Sequence, residues 1–157
     1  MTAMTAPLRP VPEAAPLAGT QTGLVTFVLG QRDYCTPLAS VREVVRLQGL
    51  ADLPGMEPPL AGVLDLRGTA LPVLDLRIGA TSESRGDVLV VERDGNLVGI
   101  AVDRVRAVVA REELPPAGTG DGEGGVLPAY VVDVLRGPGG PVFLVELEAM
   151  VDSVRRG

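Results

Sequence analysis

The stretch that most limits what this chain can fold into runs from Leu60 to Arg77, LAGVLDLRGTALPVLDLR, where VLDLR occurs twice, at 63–67 and 73–77. In each copy the two leucines fall on one face of an extended chain, and Val, Asp and Arg on the other. A period of two is the signature of a half-buried strand. The joining residues, Gly68-Thr69-Ala70-Leu71-Pro72, open with a turn former, so the copies are expected to pair as a hairpin. Pro72 lacks an N–H and belongs at a strand start or a non-bonded edge position.

The same punctuation runs through the chain. Leu24–Leu29 reads as a strand, Gly30–Asp33 as a turn and Tyr34–Leu38 as a second strand. Ala39–Val45 reads as one or two helical turns, because Ser40 and Glu43 have the spacing of a capping box. Leu47–Leu53 is a short extended piece ended by Pro54-Gly55 and Pro58-Pro59, and Ile78–Asp87 a polar loop. Val88–Glu92 is a continuous apolar strand, Asp94-Gly95-Asn96 a hairpin turn and Leu97–Val102 the return strand. Val105–Val109 is a further strand, and Glu112–Gly125 a flexible acidic loop. Tyr130–Leu135 and Val142–Leu147 flank a turn at 137–140, and Glu146–Arg155 finishes as a short helix.

Nine or ten short strands at regular spacing point to an all-β sandwich or barrel. With 46% apolar residues but only two Phe, two Tyr and no Trp, the core must be Val, Leu and Ala. Residues 1–21 read as a disordered Ala/Pro/Thr leader without the features of a signal peptide, 22–153 as the folded unit and 154–157 as a tail.

The chemical inventory argues against an enzyme. There is no His and no Lys, so the usual neutral-pH base and the Schiff-base and phosphate-gripping amines are missing. A lone Cys35 excludes an internal disulfide and reads as a small core residue in a reducing cytoplasm. No metal or cofactor constellation stands out. A net charge of −6 disfavours nucleic acid and anionic lipid, and no apolar run is long enough to insert in a membrane. Asp65 and Asp75 could pair as carboxylates, but each has an Arg two residues on, at 67 and 77, and reads as a solvated charged face. Asp103–Arg106 and Glu112-Glu113 likewise read as surface charge, and the glycines at 118–125 open no helix that could cradle phosphate.

The chain reads as a binding module, and its motifs resemble one family. Phe27-Val28-Leu29-Gly30, Tyr34, Val41-Arg42-Glu43-Val44 and Pro54-Gly55 are similar to the opening of CheW-type chemotaxis coupling proteins. The resemblance continues through Gly62–Gly68, Leu71–Arg77 and Val98–Asp103, and covers roughly residues 22–153. It implies two interlocked five-stranded SH3-like barrels with a groove between them and short helical turns. It also implies a non-enzymatic adaptor linking the cytoplasmic tips of methyl-accepting chemoreceptors to the regulatory domain of a CheA-type histidine kinase, in cytoplasmic arrays.

By the same resemblance Val41, Glu43, Gly62 and Arg67 fall on partner-binding positions, and Val98, Gly99, Ile100 and Asp103 line the groove. Physically, Arg67 can hold Glu43, and Gly62 can admit a partner backbone or serve a bulge. The groove's Val and Leu would dock an apolar helix face. This member diverges at Asp65, where Asn is frequent, at Asp133, where Gly is usual, and in a short Ile78–Asp87 connection. An adaptor that binds receptor without engaging kinase is the alternative. A ligand-binding or enzymatic barrel is a third reading, opposed by the missing His and Lys.

Overall fold

Short alternating runs cut by Gly, Pro and Asp-Gly signals produce strands and little else in the computed structural model, which describes residues 23–52, 54–55, 60–77, 86–117 and 127–156. The strands are β1 (Gly23–Leu29), β2 (Arg32–Pro37), β3 (Glu43–Arg46), β4 (Leu60–Leu66) and β5 (Thr69–Asp75). They continue as β6 (Asp87–Arg93), β7 (Asn96–Val102), β8 (Arg104–Ala110), β9 (Val131–Gly137) and β10 (Gly140–Val145). One helix, α1 (Leu147–Arg156), follows, and single 3₁₀ turns occupy Leu38–Ser40 and Arg111–Glu113.

The strands form two five-stranded sheets with one shared topology. A central barrel has the order β3-β6-β7-β5-β4, and a terminal barrel the order β8-β1-β2-β10-β9. Strand by strand, β3 to β7 correspond to β8, β9, β10, β1 and β2, so the terminal barrel is the same path entered midway. Each sheet has one parallel pair, β5 with β7 and β10 with β2, at matching positions. The chain therefore starts one barrel, builds the other whole and returns to finish the first. This is the interlocked SH3-like arrangement that the resemblance implied.

Both sheets close in the same way. After β3, Ala51 bridges Val63 on the far edge strand β4; after β8, Pro116 bridges Leu135 on β9. Such closure satisfies edge N–H and C=O groups that would otherwise template aggregation. Val63 directs both its backbone groups to Ala51, so the facing pair Val63–Pro72 is non-bonded on the β5 side. Pro72 thus costs no β4 hydrogen bond although it sits inside β5, not at its start.

Three apolar clusters follow from this path. Leu64, Leu66, Leu71, Val73, Val88 and Val90 fill the central barrel, and Leu24, Cys35, Leu135, Val142 and Leu144 the terminal one. The largest lies between them, where Phe27, Val41, Leu89, Val91, Ile100 and Phe143 meet Leu147, Met150 and Val151 of α1. Strand β6 faces both interiors, Val88 and Val90 inward and Leu89 and Val91 toward the shared core, which accounts for its unbroken apolar run. Each such side chain contributes about 1.5–3 kcal/mol by leaving water.

Several expectations are corrected. Glu43 caps no helix: it opens β3, and the 3₁₀ turn before it has Pro37 at its N-cap without a side-chain bond. Tertiary pairing of β3 with β6 outweighs the local capping signal. The second VLDLR copy is not half-buried, because β5 lies between β4 and β7 and buries both Val73 and Leu74. The supposed loop at 112–117 is folded, with Leu114 and Ala117 buried against β9; residues 118–126 lie outside the described residues. Helix α1 continues to Arg156, past the expected boundary at 153. The leader and the connection at 78–85 also lie outside the described residues.

Candidate functional site

The tip of the β4–β5 hairpin and the start of β3 come together although 24 positions separate Glu43 from Arg67. The tip is a two-residue turn with Arg67 at φ 50° and Gly68 at φ 87°, the left-handed pair that a type I′ hairpin requires. Gly68 accommodates this freely, whereas Arg67 adopts it at a cost. Asp65 offsets that cost by accepting the Gly68 N–H at 2.9 Å. The turn aims Arg67 across the barrel opening, where its Nη2 donates to both Glu43 carboxylate oxygens at 2.9 Å. The two side chains differ in exposure: Glu43 is 9% exposed and Arg67 56%. A buried acid thus anchors a guanidinium that still faces outward.

Val41 and Gly62 act from beneath. Val41 is buried in the shared core, and its neighbour Arg42 donates its backbone N–H to Val90 at 2.7 Å, fixing the entry to β3. At Gly62 the β4–β5 register shifts in a bulge. A Cβ there would lie 2.6 Å from the Ala51 carbonyl oxygen and 2.8 Å from Leu50 Cγ. The backbone that approaches this glycine closely is therefore the chain's own strap, not a partner's.

The stretch from Val98 to Asp103 divides. Val98 is half-buried and lines an open groove of about 680 Å³ with Leu60, Pro72, Leu97 and Val151, rimmed by Arg93 and Asn96. This groove lies between the central barrel and α1, not between the two barrels. Gly99 and Ile100 do not line it. Ile100 is fully buried, and a Cβ on Gly99 would meet Val88 Cγ1 at 2.6 Å, so neither can touch a partner directly. The physical reason is that β7 is covered by β5 and β6 on its flanks and by apolar clusters on both faces.

Asp103 is exposed, yet its carboxylate accepts the Gly30 N–H at 2.7 Å and its own N–H donates to Val28 at 3.0 Å. It ties the end of the central barrel to the first hairpin of the terminal one, and Asp87 adds a second tie by accepting the Val105 N–H at 2.8 Å.

Groups weighed as chemical candidates have structural partners. Burial pushes the Asp75 carboxyl up, but hydrogen bonds and charge from Arg77 outweigh it and hold Asp75 below the ordinary range. Burial raises the Cys35 thiol to about 12, against a small opposing effect of Arg111, so it is an inert core residue. Asp133 is exposed and accepts the N–H of the next residue, Val134. Among the described residues no group of side chains could hold a metal, and no helix is long and apolar enough to cross a membrane.

Two features were missed from the sequence. One is the pairing of the extended piece at Leu47–Leu53 with β4, where Ala51 bridges Val63. The other is the anchoring of α1 by Arg93, whose Nε donates to Asp152 at 3.0 Å, 59 positions away, beyond the reach of local periodicity.

Comparison with known proteins agrees with this architecture. A family sequence model described as the CheW-like domain matches residues 23–155. The chain is 27% identical over 138 residues to the chemotaxis protein CheW of Rhizobium meliloti, covering 85% of this chain and 89% of that protein. It is 30% identical over 97 residues to chemotaxis protein CheW of Bacillus subtilis, covering 57% of this chain and 61% of that protein. It is 31% identical over 104 residues to protein PilI of Pseudomonas aeruginosa, covering 59% and 58%. The crystal structure of the scaffolding protein TtCheW from Thermoanaerobacter tengcongensis superposes with a TM-score of 0.63 at 21% identity, covering 81% of this chain and 90% of that one. With all ten strands of both barrels inside the matched span, the chain belongs to the CheW-like domain family, whose members are non-enzymatic scaffold and adaptor proteins.

Proposed function

We propose that this protein couples chemoreceptor cytoplasmic tips to the regulatory domain of a CheA-type histidine kinase, in the cytoplasm at receptor arrays. The observation that carries this reading is the Glu43–Arg67 pair. It presents a guanidinium at a hairpin tip from a buried anchor, at two positions that the family resemblance ties to partner binding. Arg67, Val98 and Asp103 supply the exposed or half-exposed atoms of the site. Val41, Glu43, Gly62, Gly99 and Ile100 shape it from within. The groove beside Val98, with its apolar floor and polar rim, suits one face of an amphipathic helix.

Purified protein titrated separately with a receptor signalling tip and with the kinase regulatory domain tests the proposal. Binding to both is expected. Binding to the receptor tip alone would make the chain an adaptor without kinase engagement, and binding to neither would remove the coupling reading. Arg67→Ala is expected to weaken receptor binding while the fold persists; unchanged affinity in a folded variant would take Arg67 out of the site.

A further inference from the structure

All four aromatic residues of the chain gather on the side of the terminal barrel that faces the shared core and α1. Phe27 stacks on Tyr34 with ring centroids 5.7 Å apart, Tyr34 tilts against Phe143 at the same separation, and Tyr130 faces them across a depression. The Arg32 guanidinium lies 5.9 Å from the Phe143 ring centroid. Two shallow depressions of about 200 and 250 Å³ sit side by side here, sharing Arg32, Tyr34 and Tyr130 in their walls. Pro128 borders the first and Met150 the second.

Tyrosines dividing two small apolar depressions, with a cation alongside, have the chemistry that receives a polyproline II strand. Such a strand has three residues per turn and no internal hydrogen bonds, so successive Xaa-Pro units settle into neighbouring slots while the aromatic ridge stacks between them. This chain carries a segment of that kind, Ala6-Pro7-Leu8-Arg9-Pro10-Val11-Pro12-Glu13, with prolines three apart at 7 and 10 and an acid directly after Pro12.

The segment can reach. Residues 13–22 join it to Gly23 at the start of β1 and span at most about 33 Å when extended. Tyr34 pairs with Phe27, four positions along β1 from Gly23, or about 13 Å. We propose that residues 7–12 dock as a polyproline II strand across the Tyr34–Tyr130 ridge of the same molecule, with Glu13 facing Arg32.

The test uses the full chain. Cys35 is wholly buried, so Ala14→Cys provides a single site for a nitroxide label next to the proline segment. The expected result is loss of amide NMR signal at Arg32, Tyr34, Tyr130 and Phe143, restored when Pro7→Ala, Pro10→Ala and Pro12→Ala are combined with the label. Signal loss confined to Gly23 and its neighbour Ala110, or unchanged by the proline substitutions, overturns the proposal. So does signal loss in an isotope-labelled, spin-free chain mixed with a spin-labelled one, which would place the segment on a second copy.

Discussion

The hairpins β4–β5 and β9–β10 hold equivalent places in their barrels and carry one pattern, Leu-Arg-Gly, three residues, then Pro-Val, at 66–73 and 135–142. They nevertheless turn at different residues. In the central barrel Leu66 pairs with Thr69, which puts Arg67 and Gly68 at the corner. In the terminal barrel Gly137 pairs with Gly140, which puts Pro138 and Gly139 there and leaves Arg136 inside β9, opposite Pro141. The cause is local: Pro138 has its φ preset for a corner and no N–H to give a ladder.

The consequence is tertiary. Arg67, swung out by its left-handed corner, grips the buried Glu43 on β3, while Arg136 donates to the Ala117 carbonyl at 3.0 Å on the strap that closes its own barrel. One arginine position thus closes two like barrels, in one with a charged pair open to a partner and in the other with a backbone contact.

The largest expected effect in breaking this comparison is at the strap of the central barrel. Gly62→Val would drive a side chain into Leu50 and Ala51, and should lower stability by about 2–3 kcal/mol, as overpacked sites do, seen as a shift in the urea midpoint. A variant as stable as the parent would mean that the strap is not held where it lies. Next comes Arg67→Ala, which strips a buried carboxylate of its partner. We expect a loss of about 1–2 kcal/mol, moderated because water reaches the exposed side of the pair. Adding Glu43→Gln to that variant should recover part of the loss, since the orphaned charge disappears.

Arg136→Ala should cost less, about 0.5–1 kcal/mol, because Arg136 is exposed and donates to a neutral backbone carbonyl. Equal losses at Arg67 and Arg136 would erase the distinction between the barrels. A last effect, read against pH, is at Asp75 in the second VLDLR copy. Its folded pKa is depressed, so its contribution is complete above the ordinary Asp value near 3.9 and is lost as pH falls through the folded value. Asp75→Asn should therefore flatten the acid limb of the stability curve below about pH 4 and leave its slope near neutrality unchanged.

These contrasts mark how far the sequence could be read. The turn at Gly68, the hairpin at Asp94-Gly95, the run Val88–Val91 and the terminal helix were legible because each is local: a turn former, or a period of two or 3.6. The Glu43–Arg67 pair was legible as a chemical match between an acid and a planar donor. Its setting was not, since Ser40 and Glu43 also satisfy a capping spacing and only pairing of Glu43 with Val90 on β6 decides for a strand. Ile100 was placed on a groove because nothing in Val98–Asp103 says that β7 is the middle strand of its sheet.

By itself, then, the sequence determined an all-β chain of short strands with a core of Val, Leu and Ala. Tertiary structure alone decided that identical pentapeptides become an edge strand and a covered one, and that the first two strands complete a barrel with the last three. The reason is range. Periodicity records how many faces of a strand are buried, but which neighbour buries them is set by contacts such as Thr26 with Ala107, 81 positions apart, where no local preference reaches.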